Sequence, residues 1–454
     1  MAYQIIGALP AMFFGGGNKR RRTTTPATLP DEIIETILLR LPLREIRQLS
    51  ILSKRFRHSW KLCRNLAFDG SFSAGLTKDQ FKAGVTNTLY LLGKTGADRF
   101  ALRYDAAGET RFVFCWVHRA IQLGVSRLEL DFTPSAPKKF MLSSDIVNYE
   151  SVTSIKLINC EILLPHAAAG GLRFLRDLTL QNMRARPVTI LTLFRNCYEL
   201  RSLKLINCNF IFALRIFAEK LRCFQTLIVK HCSDIHSICL NAPELQTFHF
   251  YGKICEIAFQ VDTPRLNDVL IEFSHPRIFQ MVPRRKEMIP RFAAVRSLTI
   301  TSTFLEGFKM SQFTLPNLEE FVLTIYPESY LNAADIIIML SNSPRIRRVH
   351  IDIGQNAFND GGAYWKTIGR HYLNESAAAF PFLQYVKIRG FCYKEQTVMM
   401  AKFFLKYASS SLRCLAIEKA RINNNLPVHY NYELINYLRW GIATIADIQI
   451  SDYH

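Results

Sequence analysis

A short apolar pattern, apolar-x-x-apolar-x-apolar, returns twelve times between Val125 and Ile417 and leaves few folds open to this chain. It reads Val125-Leu128-Leu130, Val152-Ile155-Leu157, Leu175-Leu178-Leu180, Leu200-Leu203-Leu205, Phe224-Leu227-Val229 and Leu245-Phe248-Phe250 in the first half. It continues as Leu266-Val269-Ile271, Val295-Leu298-Ile300, Leu318-Phe321-Leu323, Ile346-Val349-Ile351, Leu383-Val386-Ile388 and Leu412-Leu415-Ile417. The intervals run mostly between about 21 and 29 residues, with a longer gap before Leu383. Two apolar residues spaced by two point the same way from a strand, because strand side chains alternate. The residue three earlier enters from the preceding turn. One such unit cannot close its own core, so neighbours must stack, and their strands line one face as a parallel sheet.

The period is that of leucine-rich repeats, and Asn159-Cys160, Asn207-Cys208 and His231-Cys232 occupy the Asn/Cys-type position after three of the strands. Stretches such as Ile190 to Cys197 and Ala334 to Leu340 read as helices and are expected on the convex side. Arg201, Lys204, Arg347, Arg348, His350, Lys387 and Arg389 fall between the inward positions and are expected near the concave face. Lys204, Arg347, His350, Lys387 and Arg389 are the candidates for contacting a bound target.

Ahead of the repeats, Leu29 to Asp69 reads as a small helical module. Pro30, Asp31 and Glu32 suit a helix start, where a missing N–H costs nothing and the helix dipole favours negative charge. Ile33, Ile34, Ile37, Leu38 and Leu41 make one apolar face, and Pro42 ends the helix. Leu43, Ile46 and Leu49 give a second short helix, and Leu52, Phe56 and Trp60 a third. So small a module cannot bury that apolar surface by itself, which calls for a partner.

The run Leu29-Pro30-Asp31-Glu32-Ile33, Ile37-Leu38 and Leu41-Pro42, followed by Leu52-Ser53-Lys54-Arg55-Phe56-Arg57 and Leu66-Ala67-Phe68-Asp69, resembles the F-box of plant proteins. Phe56 stands where plant members usually carry Trp, and Ser59 where Leu is common. The resemblance implies docking onto a Skp-type adaptor, and through it a cullin scaffold, by Leu29, Pro30, Ile33, Ile37, Leu38, Leu41 and Pro42. Leu383 to Phe391, a helix from about Glu395 to Tyr407, and Leu412 to Leu415 resemble the FBD region that closes many plant F-box/leucine-rich-repeat proteins. The expected class is therefore α/β, a helical F-box followed by a leucine-rich-repeat solenoid. Its expected divisions are a flexible basic tail (1–27), the F-box (28–69) and a connecting and capping region (70–124). The repeats (125–379), FBD-like terminal repeats (380–420) and a C-terminal cover (421–454) follow.

Within the connecting region, Phe81, Val85, Leu89 and Leu92 predict a helix, Phe100 to Tyr104 a strand, and Phe114, Trp116, Val117 and Ile121 a second helix closed by Gly124. Trp60, Trp116 and Trp365 are read as core residues.

Chemistry of other kinds finds little footing. No phosphate-cradling or dinucleotide glycine pattern, HExxH helix, nucleophile elbow or Cys-x-x-Cys pair occurs, so no catalytic residue, cofactor or metal site is expected. His231, Cys232, His236 and Cys239 crowd together, but Cys232 falls at a buried repeat position and the spacing matches no common ligand set. Scattered cysteines and the lack of a long apolar run point to reduced thiols in a nuclear or cytoplasmic protein without a membrane span. Asn18 to Arg22 forms a compact basic cluster, a candidate nuclear-localisation signal.

The expectation is a substrate-receptor subunit of a Skp-cullin-F-box ubiquitin ligase, holding a target protein while other subunits supply the chemistry. The net charge of +20 keeps a second reading open, a repeat receptor for a small anionic ligand. Nucleic-acid binding ranks last, because no recognised module is present.

Overall fold

The computed structural model describes residues 31–38, 41, 43–52, 59–92, 96–135, 139–142, 150–162, 173–184, 187–274, 282–306, 314–327, 329, 331–355, 357–358, 371, 380–420 and 429–451. They fall into two compact units, the first reaching Ala101 and the second running from Leu102 onward.

In the first unit, helices Asp31–Leu38 and Leu43–Leu52 and a short turn of helix at Ser59–Leu62 precede the strand Asn65–Phe68. A longer helix, Lys78–Leu91, follows. Thr77 starts it with a reciprocal cap: its hydroxyl accepts from the Gln80 N–H at 3.2 Å, and Gln80 Oε1 accepts from the Thr77 N–H at 2.9 Å. Phe81, Val85, Leu89 and Leu92 form its buried face as their spacing predicts.

The second unit begins with a helix, Thr110–Gln122, that ends before Gly124 at φ +82°, a backbone state open to glycine at little cost. Trp116, Val117 and Ile121 are buried; Phe114 is not, because Val113 and Ala120 complete the inward stripe and leave it on the flank. Trp60 is half-buried, and Trp365 lies outside the described residues.

From Arg127–Asp131 to Asp447–Ser451, the strands that carry the repeat cores form one parallel sheet, each hydrogen-bonded to the core strand of the next repeat, while the shorter strands between them lie in separate small sheets. All twelve predicted cores coincide with these strands, and equivalent residues pair in register, Leu203 with Leu227 and Leu227 with Phe248. Phe224, Phe248, Phe250, Phe273, Phe292 and Phe304 fill the stack behind the sheet. A thirteenth core, Ile445-Ile448-Ile450, belongs to the last strand. Ile448 is buried, whereas Ile445 is 74% exposed. Over 429–451 the chain forms the helix His429–Arg439 and this strand, with Tyr432, Tyr437 and Trp440 exposed.

The side behind the sheet differs from expectation in one stretch. Helices do form at Pro187–Asn196, Ala333–Ser341 and Glu395–Tyr407, as predicted. Between them, Ala213–Phe217, Ser237–Asn241 and Glu256–Phe259 are strands of a second, three-stranded parallel sheet. Length accounts for the last two of these strands. Leu227, Phe248 and Val269 are register partners only about 21 residues apart. A strand covers about 3.3 Å per residue and a helix about 1.5 Å, so a short repeat must return extended.

The turn after each early strand is also built to pattern. Asn159, Asn182, Asn207 and His231 take φ between +52° and +56°, the left-handed region that Asn tolerates better than other side chains. Cys160, Cys208 and Cys232 follow three of them and are buried, and Met183 fills the equivalent position after Asn182.

Candidate functional site

Two surfaces carry the predicted functional residues. In the helical module, Leu38 and Leu41 are packed inside the unit at 3% and 7% exposure, while Ile37 is half-buried. Ile33 is 46% exposed and is the apolar side chain of that set presented to solvent among the described residues. Leu29, Pro30 and Pro42 lie outside the described residues.

The second surface is the open face of the sheet, opposite the buried core. Lys204, His350, Lys387 and Arg389 alternate with inward residues and so project onto it. Arg201 and Arg347 do not share that position: the strands begin at Ser202 and Arg348, one residue later. Each arginine sits in the lead-in turn, where its N–H pairs with the previous repeat, and the Arg347 guanidinium lies 3.6 Å from Glu319. Arg348 is on the face and pairs with Glu320 at 3.3 Å.

The register gathers three of the candidates at the C-terminal end. His350 is opposite Lys387, and Asp352, Arg389 and Glu418 stand in one row across three strands. Arg389 reaches Asp352 at 3.5 Å and Glu418 at 3.3 Å, and Lys387 Nζ lies 2.5 Å from Glu418. Two cations therefore meet two carboxylates, and the local charge cancels. Burial, with the Lys387 ammonium beside it, holds the His350 ring below the ordinary histidine range. Among the described residues, its buried Nε2 has no hydrogen-bond partner. A neutral imidazole within a balanced ion-pair network offers no excess positive charge for an anion. The carboxylates that decide this, Asp352 and Glu418, were legible from the same strand alternation that placed the cations.

Lys204 is elsewhere on the face, with Thr179 and Ile228 as its register neighbours. The His231 to Cys239 cluster does not converge. Cys232 Sγ faces the core, 3.4 Å from the Cys208 N–H, while the His231 ring is 6.4 Å from that of Tyr251. Among the described residues, no group of three or more His, Cys, Asp or Glu is placed to hold a metal ion, and no helix is long and apolar enough to cross a membrane.

This geometry agrees with what the chain resembles. Residues 97–435 match the model of the At1g61320/AtMIF1 leucine-rich-repeat domain, about three-quarters of the length. The chain belongs to that family. Residues 27–68 match the F-box domain model. Relatives in Arabidopsis thaliana include the putative FBD-associated F-box protein At1g61330, 27% identical over 85% of this chain and 89% of its own length. The FBD-associated F-box protein At1g61320 is 25% identical over 85% of this chain and 87% of its own length. Among solved structures, a leucine-rich-repeat protein of Leptospira interrogans aligns at a TM-score of 0.33 with 12% identity, covering 80% of this chain and 92% of that one. The family thus joins an F-box to a repeat domain whose parallel sheet is described above.

Proposed function

We propose that this protein is the substrate-receptor subunit of a Skp-cullin-F-box ubiquitin ligase, with no catalytic step of its own. The observation that carries the reading is the order of the two matches, an F-box at 27–68 ahead of a repeat domain at 97–435. A docking module of this size with an exposed apolar residue at Ile33 suits a permanent partner. Leu29, Pro30, Ile33, Ile37, Leu38, Leu41 and Pro42 are assigned to adaptor docking, Leu38 and Leu41 acting by holding the helices in place. The open face of the sheet holds a target protein. Ubiquitin transfer then gains from proximity, because a held lysine meets the charged conjugating enzyme at high effective concentration. The protein acts in the nucleus or cytoplasm, where the ligase machinery resides.

Co-purification with a Skp-type adaptor tests this. Wild type should retain the adaptor, and Ile33→Glu should lose it with an unchanged melting temperature, because that side chain is already exposed. Leu29→Ala combined with Pro30→Ala should weaken it as well. Wild-type protein that never retains the adaptor refutes the reading.

A further inference from the structure

The open face is not uniform, and its central strands differ from the neutralised C-terminal end. On the neighbouring strands Ser202–Ile206 and Thr226–Lys230, Lys204 stands beside Ile228 and Ile206 beside Lys230. Two lysines and two isoleucines therefore alternate as a checkerboard on a surface facing solvent. The Lys230 ammonium lies 4.2 Å from the centre of the Tyr251 ring, its register neighbour on the next strand. Leu270 adds a further aliphatic side chain one strand beyond. All six residues are half-buried, so the stems and rings form a continuous floor.

The charge balance here is unlike that around Arg389. Among the described residues, neither Lys204 nor Lys230 has a carboxylate within ion-pair distance. Asp268 is committed to His249 at 2.8 Å. Asp177 and Glu272 are exposed at the borders of the cluster and bridge to neither lysine. The result is a floor of aliphatic and aromatic carbon carrying two uncompensated ammonium groups on residues that are diagonal neighbours of adjacent strands.

We infer that this cluster on the central strands binds a protein segment in which apolar residues are flanked by aspartate or glutamate. The inference deepens the receptor reading, on which its role in target selection rests, by naming the class of segment held. Acidic side chains would meet Lys204 and Lys230, while the apolar ones would cover Ile206, Ile228 and Leu270. A nucleic acid would satisfy the lysines but leave the aliphatic floor without a partner, so a protein segment fits better.

The test uses the full chain on an array of seven-residue peptides. One set carries central Leu or Phe flanked by Asp and Glu, a second has the charges reversed to Lys and Arg, and a third has Ser at the centre. A fluorescent single-stranded oligonucleotide is titrated separately. The first set alone should be retained, and Lys204→Glu with Lys230→Glu should weaken it at least tenfold. Should that pair lower the melting temperature, Lys204→Gln with Lys230→Gln should still weaken binding several-fold. Retention of the reversed set, equal retention of the serine set, insensitivity to both pairs, or preference for the oligonucleotide would overturn the inference. Adaptor co-purification on the same proteins separates the two claims. Adaptor bound without acidic peptide sinks the inference alone; acidic peptide bound without adaptor sinks the receptor reading alone.

Discussion

Asn182 donates its side-chain amide to Oδ1 of Asn159 at 3.1 Å, so the turn of one repeat is fastened directly to the turn before it. Asn159 in turn donates to the Phe132 carbonyl at 2.9 Å, and Asn207 to Oδ1 of Asn182 at 3.2 Å. These bonds lie at the left-handed turns, where the backbone N–H of each asparagine pairs with the next strand. Asn182→Ala should therefore cost about 2 kcal/mol, combining two lost hydrogen bonds with a left-handed backbone that alanine dislikes. Asn182→Gly should cost less, because only the bonds are lost. Urea unfolding followed by circular dichroism will rank the two, and an equal loss would mean that strain plays no part.

Gly390 is set tightly against a backbone atom. It has φ +71°, and a Cβ there would lie 2.1 Å from the Ile353 carbonyl oxygen. The strand register shifts at this point, between Arg389 and Phe391. Gly390→Ala must push the strands Arg348–Ile353 and Tyr385–Phe391 apart as well as adopt a strained backbone, a loss of about 3 kcal/mol or more. Soluble yield and melting temperature should both fall; an unchanged melting temperature would show that the bulge yields freely.

Burial moves the titration of Asp335 well above that of an ordinary carboxylate. It heads the helix Ala333–Ser341 in a reciprocal cap with Asn332, and burial raises its carboxyl from 3.8 to about 6. A folded-state value above the unfolded one means that the native form holds the proton longer. The associated stability is complete below pH 3.8 and is lost as pH rises through about 6, a change of about 3 kcal/mol at most. Asp335→Asn removes that slope. The melting temperature of the variant relative to wild type should climb between pH 4 and pH 7.5, and a pH-independent difference would contradict the assignment.

Thiol reactivity should divide the cysteines by burial. Burial pushes Cys63 up to about 11 and Cys160, Cys197 and Cys255 up to about 12, whereas Cys115 is exposed. Iodoacetamide at pH 8, read by peptide mass spectrometry, should modify Cys115 well before these four in the native chain. Rapid labelling of Cys160 without unfolding would show that the turns open.

The repeat strands were set by sequence alone because a parallel stack demands the same inward residues from every unit, and that demand recurs along the chain. Leu128, Leu203, Phe248 and Ile388 announce themselves without any knowledge of their neighbours. In the helical module, apolar spacing likewise placed the helices Asp31–Leu38 and Leu43–Leu52, although Leu52, expected to open a third helix, ends the second. What surrounds an outward residue is another matter. Alternation shows that Lys204 and Lys387 leave the core, but only the sheet register puts Ile228 opposite Lys204 and brings Glu418, opposite Arg389, within reach of Lys387. Whether a cation is cancelled or left available depends on side chains from neighbouring repeats, some 20 to 40 positions away in the chain. The same holds for the return strands behind Leu227 and Phe248, which follow from the distance that a short repeat must span. The chain's own pattern fixes which residues face inward, and the stacking of units decides what the outward ones meet.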